Sequence, residues 1–222
     1  MVTVLTHRLW FPDPRSAVSR GPHRGLVAVG GDLSVQRLRL AYRSGLFPWT
    51  DTPITWWSPD PRAILDLDRV HVAVSLARMM RKQAFAVTLN RAFRAVMEGC
   101  AEPGPGRRRT WITPSFIAAY TALHQQGWAH SVECWRGAEL VGGIYGVALG
   151  GFFAGESMFH RVSNASKVAL VHLVERLRQR GFGLFDIQML TPVTRQMGAV
   201  EIPRENYLRR LADAVARPIT FA

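Results

Sequence analysis

HSVECWRGAELVGGIYGVALGGFFAGESMF, residues 130–159, contains the pattern from which the architecture follows. Apolar and polar residues alternate over 130–135, and long apolar runs fill 140–149 and 152–159. Turn-forming residues separate these runs, most clearly at Gly150 and the glycine after it. The stretch therefore predicts three consecutive antiparallel β-strands.

Helical patterns flank these strands. Thr113 is a typical helix cap before a proline, and the helix that follows is expected to end at Gly127. A second helix is predicted from 163–166 to residue 180, followed by a strand at 184–190. The order helix, three strands, helix, strand predicts an α+β fold in which helices cover a sheet.

The first half of the chain predicts a smaller α/β region. Helices are expected at 35–44, 74–82 and 90–99, with a strand at 84–89. A loop at 103–109, rich in Pro, Gly and Arg, then marks a break. We therefore predict an N-terminal domain at 1–102 and a C-terminal domain at 110–222.

Composition restricts the class of protein. The 222 residues are 48% apolar, which supports a folded core, and 28 Lys and Arg against 16 Asp and Glu give a net charge of +12. Such a charge favours an anionic partner such as nucleic acid. Cys100 and Cys134 lack the spacing of a disulfide framework or a metal site, and no apolar run is long enough to span a membrane. We expect a cytoplasmic protein without a metal.

Three polar residues interrupt apolar strands. Asp186 and Gln188 are two apart and are expected on the same face of one strand, and Glu156 falls within another apolar run. A buried hydrogen-bond network would explain each of them singly. Three polar groups that converge within an apolar wall instead indicate an active site.

A tract rich in tryptophan lies in the first half. Trp49, Trp56 and Trp57 are three of the seven tryptophans, and glycines and prolines surround them. Large rings on a rigid backbone suit either a hydrophobic core or a binding surface.

Six motifs follow one another along nearly the whole chain: GGDLS at 30–34, FPW at 47–49, WWSPDPR at 56–62, GESMF at 155–159, SKVAL at 166–170 and DIQ at 186–188. Together they resemble the leucyl/phenylalanyl-tRNA-protein transferase family of bacteria. The resemblance implies transfer of Leu or Phe, and less readily Met, from aminoacyl-tRNA to proteins with N-terminal Arg or Lys. This transfer marks the acceptor for degradation. It also implies a C-terminal domain similar to GNAT acetyltransferases and a reaction without a cofactor.

The resemblance also implies site residues. It groups Asp186, Gln188 and Glu156 at the reacting centre. In one hypothesis Asp186 accepts the proton of the attacking amine, and Gln188 donates a hydrogen bond to the reacting groups. Glu156 then orients the amine or the ribose. The aminoacyl pocket that it implies consists of Ile144, Phe153, Gly155, Ser157, Met158, Leu170, Leu173 and Phe185.

Contacts to tRNA are expected in the first half and at its end. The resemblance implies that Trp49 and Trp111 stack on the terminal adenosine. Arg78, Arg81 and Lys82 have helical spacing and are candidates for contact with acceptor-stem phosphates, although a solvated helix face would look the same.

The chain departs from the family pattern at two places. Val74 and Ala77 occupy helix positions that can carry a cation, so Arg107–Arg109 are expected to share in tRNA binding. Val193 stands where a histidine is usual, which puts local geometry or acceptor choice in doubt.

Two other functions remain open from sequence. One is an acetyl-CoA N-acetyltransferase, although residues 157–180 lack the glycines of a pyrophosphate-binding loop. The other is an RNA-binding module without catalysis, which would leave Glu156, Asp186 and Gln188 without a role.

Overall fold

The computed structural model describes residues 2–103 and 110–222. Arg107–Arg109, and most of the loop predicted to divide the domains, lie outside this part. In chain order the strands are β1 (Thr3–Leu5), β2 (Leu26–Gly30), β3 (Phe47–Asp51), β4 (Ile54–Trp57), β5 (Arg62–Leu65), β6 (Ala86–Leu89), β7 (Ala129–Arg136), β8 (Glu139–Leu149), β9 (Phe152–His160), β10 (Leu184–Gln188) and β11 (Ala199–Ile202). The helices are α1 (Val35–Arg43), α2 (Val74–Arg81), α3 (Phe93–Ala101), α4 (Pro114–Gln125), α5 (Ala165–Gln179), α6 (Pro192–Gln196) and α7 (Arg204–Val215).

Two sheets organise these elements. A four-stranded sheet has the order β1-β2-β4-β3, and a seven-stranded sheet has the order β11-β5-β10-β9-β8-β7-β6. In the larger sheet β9 and β10 are parallel, whereas the other neighbouring strands are antiparallel. The predicted α+β fold with a mixed sheet and flanking helices is confirmed, and the meander corresponds to β7, β8 and β9.

Helices cover the larger sheet. Helix α5 packs on β7, β8 and β9, and its residues Leu170, Leu173 and Leu177 are buried. Helix α3 contacts the same three strands and α4 contacts β7, and these helices bury Phe93 and Phe116 in a second core. These two apolar clusters hold the meander rigidly between them.

Several element ends differ from the sequence prediction; the strand expected at 84–89, for example, begins at Ala86. Two of the differences have a local cause. The last strand ends at Gln188 instead of residue 190, because Gln188 has φ = +56° and the Met189 amide turns back to the Ile187 carbonyl at 2.6 Å. The helix expected from residue 90 begins at Phe93, because Asn90 has φ = +58° and cannot continue a right-handed helix.

The sheet order bears on how the halves of the chain are joined. Strands β5 and β6 precede the predicted boundary at 103–109, yet both pair within the seven-stranded sheet, β5 between β10 and β11. The division into 1–102 and 110–222 stays a prediction. Within the described ranges, no helix has the length and apolar character needed to cross a lipid bilayer.

Candidate active site

Two irregularities in neighbouring strands bring Glu156 and Gln188 together. In the β8–β9 ladder Tyr145 pairs with Ser157 and Gly146 pairs with Gly155, which leaves Glu156 as the extra residue of a β-bulge. The β5–β10 ladder also shifts its register before Gln188. The Gln188 Nε2 atom donates to Glu156 Oε1 at 3.1 Å. The bulge and the turn thus direct both side chains to one point.

Asp186 lies beneath this pair and is fully buried. Arg62 donates to it through Nε at 2.9 Å and through Nη2 at 2.7 Å, which makes a bidentate ion pair. The Tyr207 hydroxyl donates to Oδ2 at 3.0 Å, and the Gln188 backbone N–H donates to Oδ1 at 2.9 Å. Each carboxylate oxygen therefore accepts two hydrogen bonds, so the four lone-pair positions of Asp186 are filled.

Two buried tyrosines support Glu156 from the other side. The Tyr120 hydroxyl donates to Glu156 Oε2 at 3.3 Å, and it is hydrogen-bonded in turn to the Tyr42 hydroxyl. Tyr42 comes from α1 and Tyr120 from α4, so both halves of the chain contribute to the orientation of this carboxylate.

The environment of Glu156 favours its neutral form. Burial is the main cause and raises the pKa of Glu156 to about 8, and the negative charge of Asp186 acts in the same direction. The hydroxyl groups of Tyr42 and Tyr120 and the charge of Arg62 oppose the shift. A carboxyl group that titrates near neutral pH can take up or release a proton during a reaction.

An apolar cavity of about 270 Å³ opens beside Glu156. Six of the eight residues predicted for the aminoacyl pocket line it, namely Ile144, Gly155, Ser157, Met158, Leu170 and Phe185. The other two predicted residues, Phe153 and Leu173, are 1% exposed and belong to the core behind the cavity.

A smaller cavity of about 100 Å³ adjoins it on the other side of Glu156. Trp49, Trp111 and Gln188 line it together with Glu156 and Met189. Both predicted stacking rings therefore face the same space. Each is also held by an aromatic neighbour, with ring centroids 5.6 Å apart for Trp49 and Trp57 and 5.1 Å apart for Trp111 and Phe116.

The basic residues predicted to bind tRNA lie apart from both cavities. Arg78 and Arg81 are exposed on α2, and the exposed Lys82 follows its last turn. Val193, the replacement for the usual histidine, lies on α6 and packs partly buried against the apolar core.

Sequence reasoning missed several residues of the site. Arg62 is the last residue of the WWSPDPR motif at 56–62. A buried carboxylate such as Asp186 needs a cationic partner, and this requirement could have identified Arg62. Tyr207 carried no comparable signal. The cavity walls also include residues from the end of β10 to α6, which are Ile187, Met189, Thr191 and Thr194.

Within residues 2–103 and 110–222, no group of three or more His, Cys, Asp and Glu residues is arranged to hold a metal ion.

Comparisons with known proteins give matches along most of the chain. The family described as leucyl/phenylalanyl-tRNA protein transferase matches residues 64–212, and the N-terminal domain of that family matches residues 31–60. A leucyl/phenylalanyl-tRNA–protein transferase of Syntrophobacter fumaroxidans is 52% identical over 214 residues, which are 95% of this chain and 90% of that protein. A transferase of the same name from Nitratidesulfovibrio vulgaris is 52% identical over 211 residues, covering 94% and 88%.

Two of the solved structures that match are more distant in sequence. A ribosomal-protein-alanine N-acetyltransferase from Brucella melitensis biovar Abortus has a TM-score of 0.34 and 16% identity, covering 50% of this chain and 86% of that one. The L-PGS structure from Bacillus licheniformis has a TM-score of 0.39 and 12% identity, covering 70% and 50%.

Proposed function

The chain belongs to the leucyl/phenylalanyl-tRNA protein transferase family of aminoacyltransferases, and on this premise we propose which substrates it takes and how its residues act. The donor is aminoacyl-tRNA carrying Leu or Phe, and less readily Met. The acceptor is the α-amino group of a protein that begins with Arg or Lys. The added residue marks that protein for degradation in the cytoplasm.

One observation carries this proposal: the apolar cavity and the cavity lined by tryptophans meet at Glu156 and Met189. The aminoacyl end of a tRNA has the same two parts, a side chain and an adenosine, joined by an ester. We place the side chain in the apolar cavity and the adenine between Trp49 and Trp111. The ester then lies beside Glu156 and Gln188.

The apolar cavity suits an uncharged side chain. Its volume of about 270 Å³ leaves room for leucine or phenylalanine, and Met158 and Leu170 can adjust to either. Side chains that branch at Cβ are bulky where the cavity meets Gly155 and Glu156. We therefore expect Ile and Val to be poor donors.

The reaction is aminolysis of an ester. The acceptor nitrogen attacks the carbonyl carbon, a C–N bond forms, and the bond from that carbon to the ribose oxygen breaks. The nitrogen loses a proton and the ribose oxygen gains one, so the reaction balances without ATP or a redox group. A residue that takes the first proton and returns the second is sufficient.

We propose that Glu156 is this residue. It lines both cavities, and its pKa of about 8 is close to that of a protein α-amino group. Asp186 is less suited, because Arg62, Tyr207 and the Gln188 backbone already fill its acceptor positions. In this division of roles Asp186 is a positioning residue for Gln188.

Gln188 completes the proposed site. One hydrogen of its Nε2 group binds Glu156, and the second is available to the carbonyl oxygen of the ester. That oxygen gains negative charge in the tetrahedral intermediate, so a fixed donor there stabilises the transition state.

A transfer assay tests the function directly. The purified protein receives Leu-tRNA, Phe-tRNA, Met-tRNA or acetyl-CoA, together with peptides that begin with Arg, Lys or Ala. Mass spectrometry identifies the product. Addition of Leu or Phe only to the peptides that begin with Arg or Lys is expected. Acetyl addition, or equal transfer to the Ala peptide, would contradict the proposal.

A further inference from the structure

We infer that Phe221, far from the reacting groups in sequence and outside the cavity wall, sets the preference between leucine and phenylalanine. It acts through Phe153 and Phe185, and is therefore a positioning residue. The inference depends on the proposed function, since it takes the apolar cavity beside Glu156 as the aminoacyl pocket.

Three aromatic rings connect Phe221 to that cavity. Phe185 lines the cavity wall, and Phe153 meets it edge to face with ring centroids 5.6 Å apart. Phe221 lies behind Phe153, again with centroids 5.6 Å apart. The three rings come from β10, from β9 and from the segment that follows α7. A change in Phe221 can therefore reach the wall through two ring contacts.

The segment that carries Phe221 is held firmly. Arg176 donates to the Phe221 carbonyl through Nε at 3.0 Å and Nη2 at 2.8 Å, and Arg180 donates to the Thr220 carbonyl at 3.0 Å. The Phe221 ring is 2% exposed and stacks on the His130 ring with centroids 4.3 Å apart. The Phe221 ring therefore has a fixed position and supports Phe153.

Phe185 is a shared residue of two cavities. It lines the aminoacyl cavity and also a second cavity of about 360 Å³. A Cβ atom built on Gly155 would lie 2.8 Å from Phe185 Cε2, so the ring already presses against the β9 backbone. Phe185 is 1% exposed and packs edge to face on Phe153, so its position depends on its aromatic neighbours. Loss of the Phe221 ring should let Phe153, and then Phe185, withdraw from the pocket.

A wider pocket should favour the larger donor side chain. We expect Phe221→Leu to raise the ratio of kcat/KM for Phe-tRNA to kcat/KM for Leu-tRNA about threefold to tenfold, below the limit that a pocket change of one or two carbons can give. Phe221→Met, whose long and flexible side chain can fill more of the vacated space, should change the ratio in the same direction by a smaller factor.

The experiment compares four variants by this ratio, with thermal unfolding to verify that each is folded. Phe152→Leu is the matched control, because Phe152 is adjacent to Phe153 and equally buried, but belongs to the other core. Phe185→Leu changes the wall directly. Phe221→Met serves in place of Phe221→Leu should the latter not fold.

The outcomes separate the inference from the proposed function. A shift in Phe221→Leu and Phe185→Leu, without one in Phe152→Leu, supports the inference. A shift in Phe185→Leu alone overturns the inference and leaves the pocket assignment standing. No shift in either overturns both. An equal shift in Phe152→Leu would show a general effect of core damage and would also overturn the inference.

Discussion

Arg62 and Asp186 form a buried ion pair that joins β5 to β10, with N···O distances of 2.7 and 2.9 Å between residues 124 positions apart. The Arg62 guanidinium also lies 4.8 Å from the Phe47 ring centroid and 4.5 Å from that of Tyr207. The pair fixes the strand from which Gln188 reaches Glu156. Its integrity should affect both folding and catalysis.

Arg62→Met should therefore destabilise the protein by about 3–5 kcal/mol, because it leaves Asp186 buried without a cation. The fraction that remains folded should have kcat lowered by about 10² through misplacement of Gln188. Chemical denaturation and the transfer assay measure the two effects. Arg94→Met is the control, since it breaks the exposed ion pair with Glu98 and should cost less than about 1 kcal/mol. A similar small effect for Arg62→Met would contradict the prediction.

Glu156→Gln should lower kcat by about 10², the size typical of a lost acid–base group. In the unmodified protein kcat/KM should rise with pH up to about 8, as Glu156 ionises. The Glu156→Gln variant should keep only the part of that rise in kcat/KM which comes from ionisation of the acceptor amine. Gln188→Ala should lower kcat by a similar factor but keep the full rise of kcat/KM with pH, because Glu156 is still present. An unchanged rate and pH profile in Glu156→Gln would refute the proposed role.

The same residue should make stability depend on pH. The folded state holds a proton on Glu156 that the unfolded chain releases near pH 4.5, so stability should fall as the pH rises from about 4.5 to about 8. In Glu156→Gln the decrease in the free energy of unfolding over this pH range should be smaller by about 1–3 kcal/mol. Denaturation at pH 5 and pH 8 measures it, with Glu139→Gln as an exposed control. Identical pH dependence in both variants would argue against a raised pKa.

Trp49→Ala and Trp111→Ala should each raise KM for aminoacyl-tRNA by about 5- to 100-fold, which corresponds to about 1–3 kcal/mol per stacked base. KM for the acceptor peptide should change little. Trp10→Ala, at a ring that is 39% exposed and outside both cavities, should leave both constants unchanged. Steady-state kinetics distinguishes these cases, and a larger effect on peptide KM than on tRNA KM would place the adenosine elsewhere.

Arg78, Arg81 and Lys82 give a prediction about salt. If each contacts one phosphate, replacing all three by Ala should reduce the slope of log Kd against log salt by about 2–3. Arg209→Ala, an exposed cation on α7, should leave the slope unchanged. Filter binding or fluorescence anisotropy over a range of salt measures the slope. Equal slopes in all three proteins would mean that this surface does not bind the tRNA.

The sequence was sufficient for the parts of the fold that follow local patterns. Strands β7, β8 and β9 have alternating or continuous apolar residues between turns, and α4 has a cap and a stop, so their positions could be predicted to within one or two residues. The conformation of Gln188 could not. A positive φ at a glutamine is unfavourable locally and is imposed here by the packing and hydrogen bonds around it.

The site could be predicted in composition but not in arrangement. Glu156 and Gln188 are polar interruptions of apolar strands, and such interruptions are visible in a sequence. The β-bulge at Glu156 depends on how β8 pairs with β9, which one strand alone does not encode. The partnership of Arg62 with Asp186 depends on a pairing between distant strands, and periodicity carries no information on it.

The place of β5 has a consequence for how the protein is made. This strand is synthesised early, but its two neighbours, β10 and β11, leave the ribosome more than a hundred residues later. Contacts so far apart along the chain close slowly, because a long loop must be ordered first. In the nascent chain β5 therefore stays unpaired until both neighbours have been synthesised, and we expect the enzyme to gain its native state only after that point.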